Sequence, residues 1–210
     1  MITAVKNLVM KNKNHLLPFH TDIILENDRV YISPLTTENR EELYSYGVDE
    51  PELWTYSLLS GAGKDGISHY LNLALQAREE KSAYPFIIYD KQSKAYAGST
   101  RYYDLSVVHN TLSIGYTWIG KAFQGTGLNK NCKYLLLKYA FEQVGVERVE
   151  FRADHKNKRS IAAMKSLGCV EEGILRQNCA SLTGRRDSIV LSILKSEWFD
   201  TVKDRLLARI

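Results

Sequence analysis

The chain has 210 residues, 44% of them apolar, which is enough for one sizeable core. Its formal charge of +4 is mild and its Lys and Arg are scattered, so a nucleic-acid duplex is not the expected partner and an anionic small molecule suits it better. No apolar run approaches the roughly 18 residues of a membrane span, Met1 to His20 holds no signal-like core, and Cys132, Cys169 and Cys179 follow no metal spacing. A cytoplasmic, metal-free protein with reduced thiols is expected.

Residues 1–21 carry Lys and Asn with short apolar runs and read as an N-terminal arm, leaving 22–210 as a single domain. Arg29 to Ser33 is the first clear strand, ended by Pro34. A helix is expected after it, with Thr37 as N-cap, Glu38 and Glu41 in its first turn, and its end near Gly47. Pro51 to Tyr56 either opens a short helix at the proline or runs extended; in the extended form Trp54 and Tyr56 share one side and line a pocket, the alternative being two buried aromatics. Ile67, Tyr70, Leu71, Ala74 and Leu75 fall at i, i+3, i+4, i+7 and i+8, which predicts an amphipathic helix over 67–78. Tyr84 to Tyr89 and Ala95 to Tyr103 read as a hairpin, and Thr111 to Trp118 adds a third antiparallel strand.

That third strand runs into Trp118-Ile119-Gly120-Lys121-Ala122-Phe123-Gln124-Gly125-Thr126-Gly127-Leu128-Asn129-Lys130, which looks like a phosphate cradle. Gly120, Gly125 and Gly127 are expected to permit φ > 0 and bring bare N–H groups to an anion, and the following helix points its positive end there. The loop is neither a P-loop nor a dinucleotide fingerprint, since no Gly-Lys-Ser/Thr closes it and Gly-x-Gly-x-x-Gly is absent. Beyond it, Leu128, Cys132, Leu135, Leu136, Tyr139 and Ala140 form the stripe of a core-facing helix ending near Gly145. Arg148 to Asp154 alternates as a strand, so strand, helix and strand make a parallel crossover with the cradle at the first strand's carboxyl end. A short helix from Lys158 to Leu167, capped by Asn157, two strands near 172–179 and 187–194, and a terminal helix from Trp198 complete the chain.

The order of elements, with Ile114-Gly115-Tyr116, Phe123-Gln124-Gly125-Thr126-Gly127, Tyr139-Ala140-Phe141, Asn157-Lys158-Arg159-Ser160, Ser166-Leu167-Gly168-Cys169, Glu172-Gly173-Ile174-Leu175-Arg176, Arg186-Asp187-Ser188 and Glu197-Trp198, resembles the GNAT superfamily of N-acetyltransferases in its ribosomal-protein N-terminal acetyltransferase (RimJ/RimL-like) branch. The resemblance covers about Arg29 to Trp198. It implies an α/β (α+β) acyl-CoA N-acyltransferase fold: a mixed, mostly antiparallel sheet with a central parallel crossover, flanked by helices. It also implies an acetyl-CoA site, with pyrophosphate on the N–H groups of Gln124, Gly125, Thr126, Gly127, Leu128, Asn129 and Lys130 and the pantetheine arm beside Trp118, Ile119 and Asn157. Asn129 stands where relatives often carry a small residue. A bulge near Trp118 would leave N–H groups free for the thioester carbonyl and the oxyanion formed from it.

By the same resemblance Ser160 lies one turn after Asn157, facing the thioester sulfur, and is the candidate acid for the departing thiolate, because Met164 stands where many relatives carry tyrosine. Read without the family, Asn157 is a helix cap and Ser160 a first-turn residue. Ser113 and Cys179 occupy the places where relatives often carry a carboxylate base, which leaves the base unassigned. The expected activity is acetyl transfer from acetyl-CoA to a primary amine, either a protein N-terminus or a small molecule, with Trp54 and Tyr56 at the acceptor. The alternatives are a dedicated small-molecule acetyltransferase and a non-catalytic acyl-CoA-binding module. A homodimer is compatible with the sequence.

Overall fold

Residues 148–154 alternate between buried Val149, Phe151 and Ala153 and more exposed neighbours, and this pattern makes Arg148–Asp154 a strand with one face on the core. The structure, a computed structural model, describes residues 15–210. The strand is β6 of an eight-stranded sheet whose other members are β1 (Leu25–Glu26), β2 (Val30–Pro34), β3 (Tyr84–Asp90), β4 (Ala95–Ser106), β5 (Thr111–Ile119), β7 (Val170–Ser181) and β8 (Gly184–Leu194), in the order β1-β2-β3-β4-β5-β6-β8-β7. Every neighbouring pair is antiparallel except β5 with β6. The helices are α1 (Tyr44–Asp49), α2 (Gly63–Glu79), α3 (Leu128–Lys138) and α4 (Lys158–Ser166), followed by a C-terminal helical run from Lys195 to Leu207. This is the mixed, mostly antiparallel sheet with a central crossover expected from the sequence.

Each face of the sheet carries its own core. On one face, α3, α4 and the C-terminal run bury Leu128, Cys132, Leu136, Ile161, Met164 and Trp198 against Ile114, Phe151 and Leu191. On the other, α2 and the segment before it bury Leu43, Trp54, Ile67, Tyr70 and Leu71 against Ile87 and Trp118. Burial of side chains of this size is worth about 1.5–3 kcal/mol each before the entropy of ordering is set against it.

Several expectations change in detail. Of the expected arm, residues 1–14 lie outside the described residues, while Leu16 and Leu17 are buried in the larger core. The helix after β2 starts later than Thr37: Asn39 takes the turn, its side chain accepting from the Thr36 N–H at 2.9 Å, and a 3₁₀ turn at Arg40–Leu43 leads into α1. Pro51–Trp54 is a 3₁₀ turn rather than an extended segment, so Trp54 and Tyr56 do not share a side. The stripe predicted to run unbroken to Gly145 relaxes into a wide π turn at Tyr139–Val144, closed by Gly145 at φ +81°.

Candidate active site

The parallel pairing of β5 with β6 lasts three steps, from Thr111 opposite Arg148 to Ser113 opposite Glu150, and then the strands part. Beyond that point β5 has, among the described residues, no strand on its β6 side, and its backbone groups on that edge open into a cavity of about 830 Å³. Tyr116 to Ile119 form one wall and Arg152 to Asp154 the other. On its opposite edge β5 is bulged. Thr100 of β4 faces both Tyr116 and Thr117, and Tyr116 sits at φ +50°, a left-handed conformation that costs a non-glycine residue about 1–2 kcal/mol. Neighbours hold it there: the Tyr70 hydroxyl donates to the Tyr116 carbonyl at 3.1 Å, and the Arg101 guanidinium lies between the Tyr70 and Tyr116 rings, 4.7 and 4.5 Å from their centroids.

At the carboxyl end of β5 the cradle turns into α3. Gly125 and Gly127 have φ of +76° and +87°, and a Cβ added to either would meet nothing within 4 Å, so both hold bare backbone beside open space. Gly127 is the N-cap of α3, and the first-turn N–H groups of Asn129 and Lys130 have no intrahelical acceptor. The Asn129 Oδ1 is buried without a partner. Gly120 serves a different need from the one expected: its φ is −52°, and what requires glycine is the Tyr46 ring, 2.3 Å from where a Cβ would stand. The loop is tied internally and to α4. Gln124 donates to the Ile119 carbonyl at 2.6 Å, and the Arg159 guanidinium donates to Gln124 Oε1 at 2.6 Å.

The cavity brings together Trp118, Ile119, Gln124, Gly125, Asn129, Asn157, Ser160 and Tyr56. Thr126, Gly127, Leu128 and Lys130 are not on its wall; the Leu128 side chain is wholly in the core, and these positions offer backbone rather than side chains. Asn157 caps α4, accepting from the Ser160 N–H at 3.0 Å, and still faces the cavity. Trp54 is corrected. It is 1% exposed, packed between Tyr70 and Trp118 with ring centroids 6.2 and 5.3 Å away, and is absent from the wall, because the 3₁₀ turn rolls it onto α2 while leaving Tyr56 42% exposed at the rim.

Sequence reasoning missed Tyr70, Tyr103, Lys133 and Arg186, all of which line the cavity. Burial raises both the Tyr70 and the Tyr103 hydroxyls above their ordinary range. Lys133 is buried, its ammonium donating to Thr117 Oγ1 at 2.6 Å and Thr100 Oγ1 at 3.0 Å. Arg186 is buried with its Nε on Ser188 Oγ at 3.0 Å. Two carboxylates line the cavity, and both have partners: exposed Glu52 pairs with Lys121, and Asp154 accepts the Lys156 N–H at 2.8 Å. Cys179, which stands where relatives often carry a carboxylate, is half-buried on the wall, 3.9 Å from Ser188 Oγ.

Such a site suits a long anionic ligand with a reactive end. Its phosphates would meet the α3 N-terminus, its arm would replace the missing β5–β6 pairing, and its reactive group would lie at the bulge, where backbone donors are free to hold a developing oxyanion. Comparison with known proteins points the same way. The family described as Acetyltransferase (GNAT) domain matches residues 29–170. A Bacillus subtilis (strain 168) protein, YdaF, named as a ribosomal N-acetyltransferase, is 34% identical over 101 residues, which span 48% of this chain and 55% of YdaF. A crystal structure from T. thermophilus, titled as an acetyltransferase, is 32% identical with a TM-score of 0.79, covering 89% of this chain and 96% of its own. Mycobacterium smegmatis RimJ, solved in complex with CoA-disulfide, shares the fold at a TM-score of 0.74 and 18% identity, covering 90% of this chain and 93% of its own.

Proposed function

This chain belongs to the GNAT acetyltransferase family, whose members use acetyl-CoA, and we propose that it moves an acetyl group from acetyl-CoA to a primary amine by direct attack. The observation that carries the reading is the continuity of one cavity from the glycine cradle, through the β5–β6 gap, to the bulge at Tyr116. Pyrophosphate is assigned to the backbone of Gln124 to Lys130 and the pantetheine arm to the channel between Trp118–Ile119 and Asn157. The acceptor amine enters from the α2 face, past Tyr56, Tyr70 and Tyr116, opposite the face that carries α3 and α4. Attack puts negative charge on the thioester oxygen, which the free N–H groups of the bulged strand stabilise, and the carbon–sulfur bond then breaks. Ser160, on the α4 side of the cavity, donates a hydrogen bond to the sulfur as it leaves.

The names of the relatives favour a protein N-terminus as acceptor. Among the described residues no helix is long and apolar enough to cross a membrane, and three free cysteines fit a cytoplasmic setting. The test is acetyl-CoA consumption across peptide N-termini and small amines. Turnover with peptides alone supports this acceptor, turnover with small amines alone moves it, and CoA binding without turnover leaves an acyl-CoA-binding module.

A further inference from the structure

A lysine buried in a cavity wall without a carboxylate is costly, and proteins hold one there when the cavity supplies its partner. Lys133 is 4% exposed, projects from α3 and lines the cavity. Among the described residues its only hydrogen-bond acceptors are the hydroxyls of Thr100 on β4 and Thr117 on the bulged turn of β5, themselves 2.8 Å apart. The ionisable groups that act on it are Cys132 on its own helix and Cys169 just before β7. Burial pushes those thiols up to about 11 and about 12, so both are neutral at pH 7. Among the described residues the ammonium therefore has two neutral oxygens and no counter-charge.

The face of the sheet on which it lies narrows its role. Arg101, on β4, points to the α2 face, where it stacks on Tyr70, while the adjacent Thr100 points to the α3 face and meets Lys133. Asn157, Ser160 and Met164 reach the cavity from α4, which packs on that same α3 face. Cys169, whose N–H donates to the Met164 carbonyl at 3.3 Å, joins this group to the surroundings of Lys133. The acceptor amine approaches from the other face. Lys133 thus stands on the donor's side and lines the same cavity as Met164, which offers no proton.

We propose that Lys133 is the catalytic residue that meets the sulfur of CoA as it departs and hands it a proton. This deepens the acetyl-transfer reading and rests on it. The acceptor nitrogen bonds to the thioester carbon, the carbon–sulfur pair goes to sulfur, and the Lys133 ammonium protonates the thiolate to give free CoA thiol. The proton lost from the acylated nitrogen passes to solvent and restores Lys133, so the net products are the amide and CoA. Burial lowers Lys133 to about 8 from its ordinary value, near the pKa of about 8.5 of an ordinary thiol, a match that suits proton transfer in either direction. A serine hydroxyl is a far weaker acid, so Ser160 orients the sulfur while Lys133 supplies the proton.

Two measurements on wild type, Lys133→Met and Lys133→Arg test this, with thermal unfolding confirming that each variant is folded. In the first, the thiol of protein-bound CoA is titrated by its thiolate absorbance, which needs no acceptor. The wild-type thiol is expected to titrate about one pH unit or more below that in Lys133→Met, the shift an adjacent cation produces. Equal titration overturns the proposal, and a failure of CoA to bind overturns it together with the acetyl-CoA reading. The second is the pH dependence of kcat with the best acceptor. Lys133→Met should lower kcat about 10²-fold with acetyl-CoA affinity kept, and Lys133→Arg should move the alkaline fall in kcat upward. An unchanged kcat in Lys133→Met overturns the proposal, whereas a depressed bound thiol with no transfer to any amine keeps Lys133 beside the sulfur but overturns the acetyl-transfer reading and the catalytic role that rests on it.

Discussion

Replacing Gly127 by Ala separates what the cradle does for the fold from what it does for the ligand. At φ +87° an alanine is strained by about 1–2 kcal/mol, and no clash adds to this, since the new Cβ meets nothing within 4 Å. In a domain of this size that strain lowers Tm by about 2–8 °C. The same open space is where a phosphate would approach the backbone, so the methyl should force it off at least one N–H. A hydrogen bond to a charged group is worth about 1.5–3 kcal/mol, so CoA affinity should fall about ten- to a hundredfold. Gly145→Ala is the control for strain: it closes the same helical segment at φ +81°, also in open space but away from the cavity, and should lose the same stability with no change in CoA affinity. Gly120→Ala is the control for packing, because its Cβ would sit 2.3 Å from the Tyr46 ring and should unsettle the fold. Calorimetry and thermal unfolding on the three variants decide the matter. If Gly127→Ala matches Gly145→Ala in both Tm and CoA affinity, this loop does not hold the phosphates.

Trp54→Ala should cost about 3–5 kcal/mol, as expected for a large core aromatic, with little change in acceptor KM, because Trp54 fills the space between Tyr70 and Trp118; Tyr56→Ala should do the reverse, raising KM at nearly unchanged Tm. A KM effect confined to Trp54 would contradict the packing described here. Ser160→Ala should lower kcat about tenfold, the worth of one hydrogen bond, with acetyl-CoA affinity intact and α4 still capped, since the cap uses the Ser160 backbone N–H; an unaltered kcat with chemistry rate-limiting removes Ser160 from the reaction. Burial holds Lys133 at about 8 in the folded chain, against about 10.4 unfolded, so the unfolded chain binds more protons between those values and this group's penalty on stability is full below about pH 8 and relieved as pH rises. Lys133→Met should therefore raise Tm at pH 7, with the gain shrinking between about pH 8 and 10.4; a gain that does not depend on pH would mean that Lys133 titrates alike in the folded and unfolded chains and that burial puts no penalty on its charge.

How well each element could be read from the sequence depended on whether one local rule governed it. Residues 148–154 alternate because a single face is buried, and the strand has the predicted bounds. The α2 stripe and the Asn157 cap were legible for the same reason, one from periodicity and one from a side chain with a specific backbone partner. Trp54 was misplaced because its direction depends on a 3₁₀ turn of four residues, and short turns leave no periodic trace. Gly120 was misread because a glycine demanded by φ and a glycine demanded by a neighbouring ring look alike until the neighbour, Tyr46, is known.

Lys133 was invisible for a deeper reason. The stripe through Leu128, Cys132, Leu135 and Leu136 marks one face of α3, and on an ordinary surface helix a lysine beside that face would be solvated. Here Asn131, Lys133, Tyr134 and Leu137 are buried as well, because α3 lies under a sheet that has opened between β5 and β6. The opening cannot be read from either strand alone; it exists because their pairing stops at Ser113 and Glu150. The same break creates the channel for the arm, frees the β5 edge, and lets a side chain of α3 reach up to Thr100 and Thr117. The burial of an unneutralised cation and the presence of a ligand cleft thus have one structural cause, which is why a residue outside every motif in the chain stands where the leaving group is expected.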